Sequence, residues 1–209
     1  MTSGIFFQNA LVLALQRYPK LQKQWNSAYM RMSGQGKYGF HRNSADGRID
    51  ILLRAMEDET VAMYAKNEKR GTETIFVFDL QSTLSRYWLL STYEMIRIAK
   101  DSDAGKHDVA LQALYRRLRL VRVPIAKFEI ANDRKITDPI YLEKYGDGPK
   151  VEPKAYSAKA KVDYNPVGFV GVETGSVGWL VIDTDNDTSV EIYRRDLSDE
   201  FLAIYADAT

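Results

Sequence analysis

Between Tyr115 and Glu129 the chain reads YRRLRLVRVPIAKFE. The run carries Arg116, Arg117, Arg119, Arg122 and Lys127, and no acid stands between Asp108 and Glu129. Guanidinium groups at this density suit phosphate oxygens, which they bind through forked, charge-assisted hydrogen bonds. A polyanion face is therefore one reading. The other is an amphipathic helix. Leu111, Leu114, Leu118, Val121 and, past Pro124, Ile125 share one face, and Arg119 and Arg122 lie one turn apart on its flank. Tyr115 and Phe128 are the aromatic residues of the run, too few for a platform on which single-stranded bases stack. On the preceding predicted helix, Glu94 and Arg97 border an apolar stripe, where a charge needs a partner. We expect a Glu94–Arg122 pair, with Arg122 partly buried and Arg116 and Arg117 exposed. The alternative puts Glu94, Arg97 and Arg122 together in a polar cleft.

Other motifs are weaker. GQGKYG matches G-x-G-x-x-G at Gly34, Gly36 and Gly39. A dinucleotide loop needs a strand before it and a helix opening within it. Here a predicted helix precedes it and more loop follows. DTDNDTSVE places Asp183, Asp185 and Asp187 as in a calcium loop, but Thr188 and Arg194 stand where such a loop needs Gly and Glu. A hairpin turn is the expectation there. His41 and His107 are far apart in sequence, and no Cys exists to supply a thiolate. No G-x-S-x-G elbow occurs. We expect neither a metal site nor a cofactor, and assign no catalytic residue.

The elements that must position these residues follow from periodicity and breakers. The sequence predicts helices over Ile5–Tyr18, stopped by Pro19, over Leu21–Met32, and over Arg48–Asn67. Ser33–Gly47 reads as a loop. TETIFVFDL suits either a short strand or a buried helix entry. A helix from about Thr83 to Lys100, capped by Ser82, carries a stripe of Leu84, Trp88, Ser91, Met95 and Ile98. A second, from about Lys106 to Val123, completes an antiparallel hairpin and bends or ends at Pro124. Lys144–Pro166 reads as a loop or linker. GFVGVE, VGWLVID and SVEIYR read as three strands, and Leu197–Tyr205 as a closing helix.

The hairpin halves LSRYWLLSTYEMIRIAK and ALYRRLRLVRVPIAKFE resemble the central helices of HEPN-like helical-bundle proteins. The resemblance covers about Leu84 to Glu129. It implies a prokaryotic defence or toxin–antitoxin setting, dimerisation through these helices, and in many members metal-independent ribonuclease activity. The family's active pattern is Arg, four to six residues, then His. After Arg122 those positions hold Lys127, Phe128 and Glu129. The pattern is thus degenerate, with Arg122 and Lys127 in place of the Arg–His couple.

The chain of 209 residues, 45% hydrophobic and with a net charge of +1, suits a globular protein with no global attraction to nucleic acid or membrane. The charge is uneven. Leu84–Lys127 holds nine basic residues against four acids, and Val162–Thr209 two against ten. We expect these parts to face each other. The expected architecture is α+β: a helical bundle over 1–143, a linker over 144–166, and a meander plus closing helix over 167–209 packed on the bundle. The N-terminal apolar run is too short to cross a bilayer and lacks a basic leader, so a cytoplasmic protein is expected. The expected role is a non-enzymatic interaction or regulatory module, with a second copy or another protein as partner. Nucleic-acid binding or a degenerate HEPN-type ribonuclease is the alternative.

Overall fold

A computed structural model describes residues 2–35, 44–66, 72–136, 139–142, 154–156 and 164–206. Gly36, Gly39, His41 and Gly71 lie outside them. The architecture is α+β. Six helices run α1 (Ser3–Arg17), α2 (Pro19–Gln35), α3 (Ser44–Ala65), α4 (Thr72–Lys100), α5 (Val109–Lys127) and α6 (Arg194–Tyr205). Before α6 comes an antiparallel sheet of β3 (Val167–Val170), β4 (Val177–Asp183) and β5 (Thr188–Tyr193), in that order. The shorter strands β1 (Tyr141–Leu142) and β2 (Lys154–Ala155) form a separate antiparallel pair.

Pro19 separates α1 from α2 as expected. It does so as the first residue of α2, where a missing N–H costs nothing. TETIFVFDL is the start of α4, not a strand, and Ser82 lies inside that helix rather than capping it. No Gly or Pro interrupts the chain from Thr72 to Lys100, so nothing stops the helix earlier. Its buried face is also turned from the expected stripe. Gln81, Ser85, Trp88, Leu89, Thr92, Tyr93, Met95 and Ile96 are buried, while Ile98 is exposed. The helix is clasped between α3 and α5, so the buried arc is wider than one stripe.

The Asp108 carboxylate caps α5, accepting from Leu111 N at 3.0 Å. Leu111, Leu114, Leu118 and Val121 are buried as the pattern predicted. The helix does not end at Pro124 but runs on to Lys127 and closes at Phe128, which has φ 58°. Past it, Ile130, Tyr156 and Tyr164 form a small second core, and Tyr164 N donates to Phe128 O at 2.8 Å. The described parts of 144–166 therefore pack on the end of α5.

In the meander, Val177, Trp179 and Val181 alternate inward onto the helices. Trp179 lies opposite Ile192 and Gly168. Gly175 has φ 65° and leads into β4. Its carbonyl accepts from Gln81 Nε2 at 2.7 Å, and a Cβ there would fall 2.1 Å from Glu57 O. The loop and α3 therefore touch backbone to backbone. α6 begins at Arg194, three residues before the expected start. Phe201 stacks on Trp25 of α2 with ring centroids 4.9 Å apart, tying the last helix to the second.

Candidate functional site

The densest chemistry lies in the core. Along α3, Asp46, Asp50, Arg54 and Glu57 are all buried. Their spacings of four, four and three put them on one helical face. Arg194, the first residue of α6, is inserted against that face with no exposed surface. One of its Nη atoms meets Asp50 Oδ1. Its Nη2 and Nε donate to Glu57 Oε1 at 2.5 and 3.1 Å. Trp25 Nε1 donates to Asp50 Oδ2 at 2.8 Å, and the Trp88 ring centroid lies 5.5 Å from the guanidinium carbon of Arg194. Arg54 extends the network outward, with Nη2 2.5 Å from Asp199 Oδ1 and Nε 3.5 Å from Asp50 Oδ1.

Burial, the largest single influence on Asp50, would push its carboxyl up. Arg194, Arg54 and the Trp25 hydrogen bond together outweigh it and hold the carboxyl below its ordinary range. Asp46, one turn earlier, has no cation in contact. Burial pushes it up to about 6, against a hydrogen bond from Ser91 Oγ at 2.8 Å. The network is thus an ionic clamp between α2, α3 and α6, with a carboxyl raised by burial at its end.

The arginines predicted as a site are spread over a different surface, and most are engaged internally. Arg116 is exposed, as expected, but it is not free. Its Nη2 donates to both oxygens of buried Asp183 at 2.9 and 2.8 Å and lies 3.5 Å from Asp185. Arg117 was expected to be exposed. It is half-buried and paired with Glu200 of α6, because the closing helix packs along that side of α5. Arg122 is half-buried over the Tyr93 ring, 5.1 Å from its centroid, and its Nη2 lies 3.7 Å from Glu94 Oε1. Glu94 also accepts from Arg97 Nε at 2.7 Å. The predicted Glu94–Arg122 pair is present at a half-exposed surface. Arg119 and Lys127 form no ion pair among the described residues, and Lys127 is exposed.

The Asp183–Thr188 run is a hairpin turn, as expected. Asp183 accepts from Asp185 N and Asn186 Nδ2, and Lys135 Nζ lies 2.5 Å from Asp185 Oδ1. The carboxylates of Asp183 and Asp185 meet Arg116 and Lys135. Among the described residues no group of three or more His, Asp or Glu is placed to hold a metal ion. His107 lies exposed in a 3-10 turn, and Asp108 is the cap beside it.

The ion pairs change what two substitutions should do. Arg116→Ala leaves the buried Asp183 carboxylate without its cation, though with its two turn hydrogen bonds, and should cost roughly 1–3 kcal/mol. Arg122→Ala removes a ring contact and a long pair to a half-exposed acid, and should cost under about 1 kcal/mol. Denaturant midpoints of the two variants check the order, which is the reverse of what exposure alone suggests.

Sequence reasoning passed over the α3 clamp. It read the helix by its apolar pairs, Ile51–Leu52 and Ala55–Met56. The signal was the charged set at 46, 50, 54 and 57, itself at helical spacing. No family model matches this chain, and comparison with curated proteins and with solved structures finds no match.

Proposed function

We propose that the chain is a non-enzymatic interaction module that pairs with a second copy of itself through α1. The observation that carries this is the outer face of that helix. Ala14 reaches the core, Leu15 packs against it and Leu11 is half-buried, but Ile5, Phe6, Phe7, Val12 and Leu13 are exposed, Phe6 and Leu13 by 63% and 66%. At about 100° per residue, Ile5 and Val12 form one outward row and Phe6 and Leu13 another, with Asn9 and Gln16 between them. An apolar seam interrupted by amides is the pattern that fixes register between helices.

A second copy fits this seam for two reasons. Residues 2–16 contain no charged side chain, so two copies meet without repulsion. Carboxamides both donate and accept, so Asn9 and Gln16 can satisfy the same residues of a partner helix. A lipid surface would leave them unpaired and would meet no Lys or Arg before Arg17. No described helix is long and apolar enough to cross a membrane. The HEPN-like resemblance of Leu84–Glu129 supports pairing through helices and a prokaryotic defence setting. The stripes of α4 and α5 are occupied within the protomer, which moves the seam to α1. A polyanion face has less support, because Arg116, Arg117 and Arg122 already meet Asp183, Glu200 and Glu94.

Sedimentation equilibrium tests the proposal. The expected result is a species of twice 23.9 kDa. Leu13→Glu should weaken association by about tenfold or more. Its unfolding midpoint at low concentration should stay within about 0.5 kcal/mol of the parent, because Leu13 lies outside the core. A chain that stays monomeric at about 100 µM, well above the Kd of a specific pair, or a dimer indifferent to Leu13→Glu, would overturn it.

A further inference from the structure

We propose that the elbow between α1 and α2 is a binding site for a phosphate monoester carrying an apolar or aromatic body. This site is separate from the outer face of α1. A groove of about 430 Å³ opens there, and its lining includes the cations Arg17, Lys20, Arg54 and Arg195 together with Tyr18 and Leu21. The volume lies within the range of small-molecule sites.

Three observations give the groove its sign. First, it opens at the N-terminus of α2, a helix of 17 residues with no acid in its first turn. The first N–H groups of a helix have no intrahelical acceptor and carry partial positive charge, an arrangement that attracts phosphate. Second, Arg54 lines the groove with a side chain only 5% exposed; its Nε faces Asp50 at 3.5 Å without a hydrogen bond, and its Nη atoms hold Asp199 at the surface. Third, the charges do not cancel. Arg17, Lys20, Arg54, Arg194 and Arg195 stand against Asp50, Glu57, Asp58 and Asp199, leaving one positive charge before the helix is counted. Lys20 has no ion pair among the described residues.

The existing pairs indicate how an anion would enter. Asp199 is 60% exposed and is held by the Arg54 fork at 2.5 and 3.4 Å. A carboxylate that remains largely in water leaves at little cost, and a phosphate can take its place on the fork. Arg195 Nη1 donates to Thr174 O at 3.4 Å and reaches Glu57 and Asp58 at 3.7 and 3.9 Å, which leaves donors of its guanidinium over. Tyr18 donates to Asp58, which also receives Arg17 at 2.9 Å. That fixes the ring as one wall. A lining that combines cations with a ring and Leu21 fits a phosphate joined to an apolar group better than a bare ion.

Phenyl phosphate, titrated by calorimetry into the full chain at constant ionic strength, tests this. Saturable binding with a Kd of about 1 mM or tighter is expected, weakened about tenfold by Lys20→Glu. Lys20 is exposed, so an unchanged melting temperature will separate lost binding from lost folding. Inorganic phosphate should bind at least about threefold more weakly, since it lacks the apolar body. No saturable heat, or binding unaffected by both Lys20→Glu and Arg17→Glu, would overturn the site. Benzoate binding as tightly as phenyl phosphate would overturn the assignment to phosphate. Vesicles containing phosphatidic acid separate a headgroup from a soluble ester. Capture by vesicles without binding of phenyl phosphate would overturn a small-molecule site. Because Lys20 lies on α2, beyond the seam of Ile5, Phe6, Val12 and Leu13 on α1, the Lys20→Glu result leaves the self-association result untouched.

Discussion

Arg194→Met is expected to cost the protein roughly 3–5 kcal/mol, read as a shift in the denaturant midpoint. A domain of this kind holds about 5–15 kcal/mol in all, so the variant should stand at the edge of folding. The reason is that Arg194, Asp50 and Glu57 have no exposed side-chain surface. Water cannot replace the lost guanidinium. Burial would then push the Asp50 carboxyl up, opposed by Arg54 and by hydrogen bonds from Trp25 and Ser198. The pH dependence should change accordingly. In the parent, Asp50 is held below its unfolded value, so its contribution is present above about pH 4 and is lost as pH falls through the folded pKa. In Arg194→Met the uncompensated carboxylates destabilise when charged, so the deficit should shrink as the pH falls. Adding Asp50→Asn and Glu57→Gln to Arg194→Met should recover much of the loss. A single variant within about 1 kcal/mol of the parent would show that the clamp is not what holds α6.

Gly175→Ala should be comparably damaging, with a loss of roughly 3 kcal/mol or more. Two costs combine. The backbone at φ 65° disfavours a side chain, which accounts for about 1 kcal/mol. The larger cost is steric, because the new Cβ would lie 2.1 Å from Glu57 O and 2.8 Å from its carbonyl carbon. Both atoms belong to helix backbone and cannot swing aside as a side chain would. The β3–β4 loop must lift from α3, which also strains the Gln81 hydrogen bond to Gly175 O. Gly168→Ala is the control. Nothing lies within 4 Å of its added Cβ, so its effect should stay within about 1 kcal/mol. Equal midpoints for the two variants would remove the argument.

The α+β order, the three strands and the closing helix were readable because each rests on local signals: Pro19, the Asp108 cap, the alternation in VGWLVID, and the turn at Asp183–Thr188. The stripe of α5 was readable for the same reason, since one face of it meets the core. The stripe expected on α4 shares Trp88 and Met95 with the buried arc but is about a quarter-turn off, because the helix is packed on two sides and the Ser, Thr and Gln on its buried arc look polar to a periodicity count. The Glu94–Arg122 pair was legible from angles along two helices. The partners of Arg116 and Arg117 were not, although the opposite charges of Leu84–Lys127 and Val162–Thr209 indicated that such partners exist. Which residue meets which depends on how the sheet and α6 dock on the bundle, and no spacing within either segment encodes that. The clamp was hidden for a related reason. Arg194 follows a strand in YRRD, where a charge is ordinarily solvated, and the acids that bury it lie 137 and 144 residues earlier.

That separation sets a constraint on synthesis. A ribosome delivers α3, with Asp50 and Glu57 on its inward face, long before it delivers Arg194 and the helix behind it. Until then the nascent bundle can close only by burying two carboxylates without their cation, and Trp25 lacks the ring of Phe201. With only Arg54 to meet Asp50, early closure is disfavoured, and the apolar faces of α4 and α5 should stay accessible for longer. Cooperative folding waits for contacts between the second, third and last helices, and such long-range closure is slow. The same guanidinium that anchors α6 in the finished protein thus couples closure of the whole bundle to the last helix to be made.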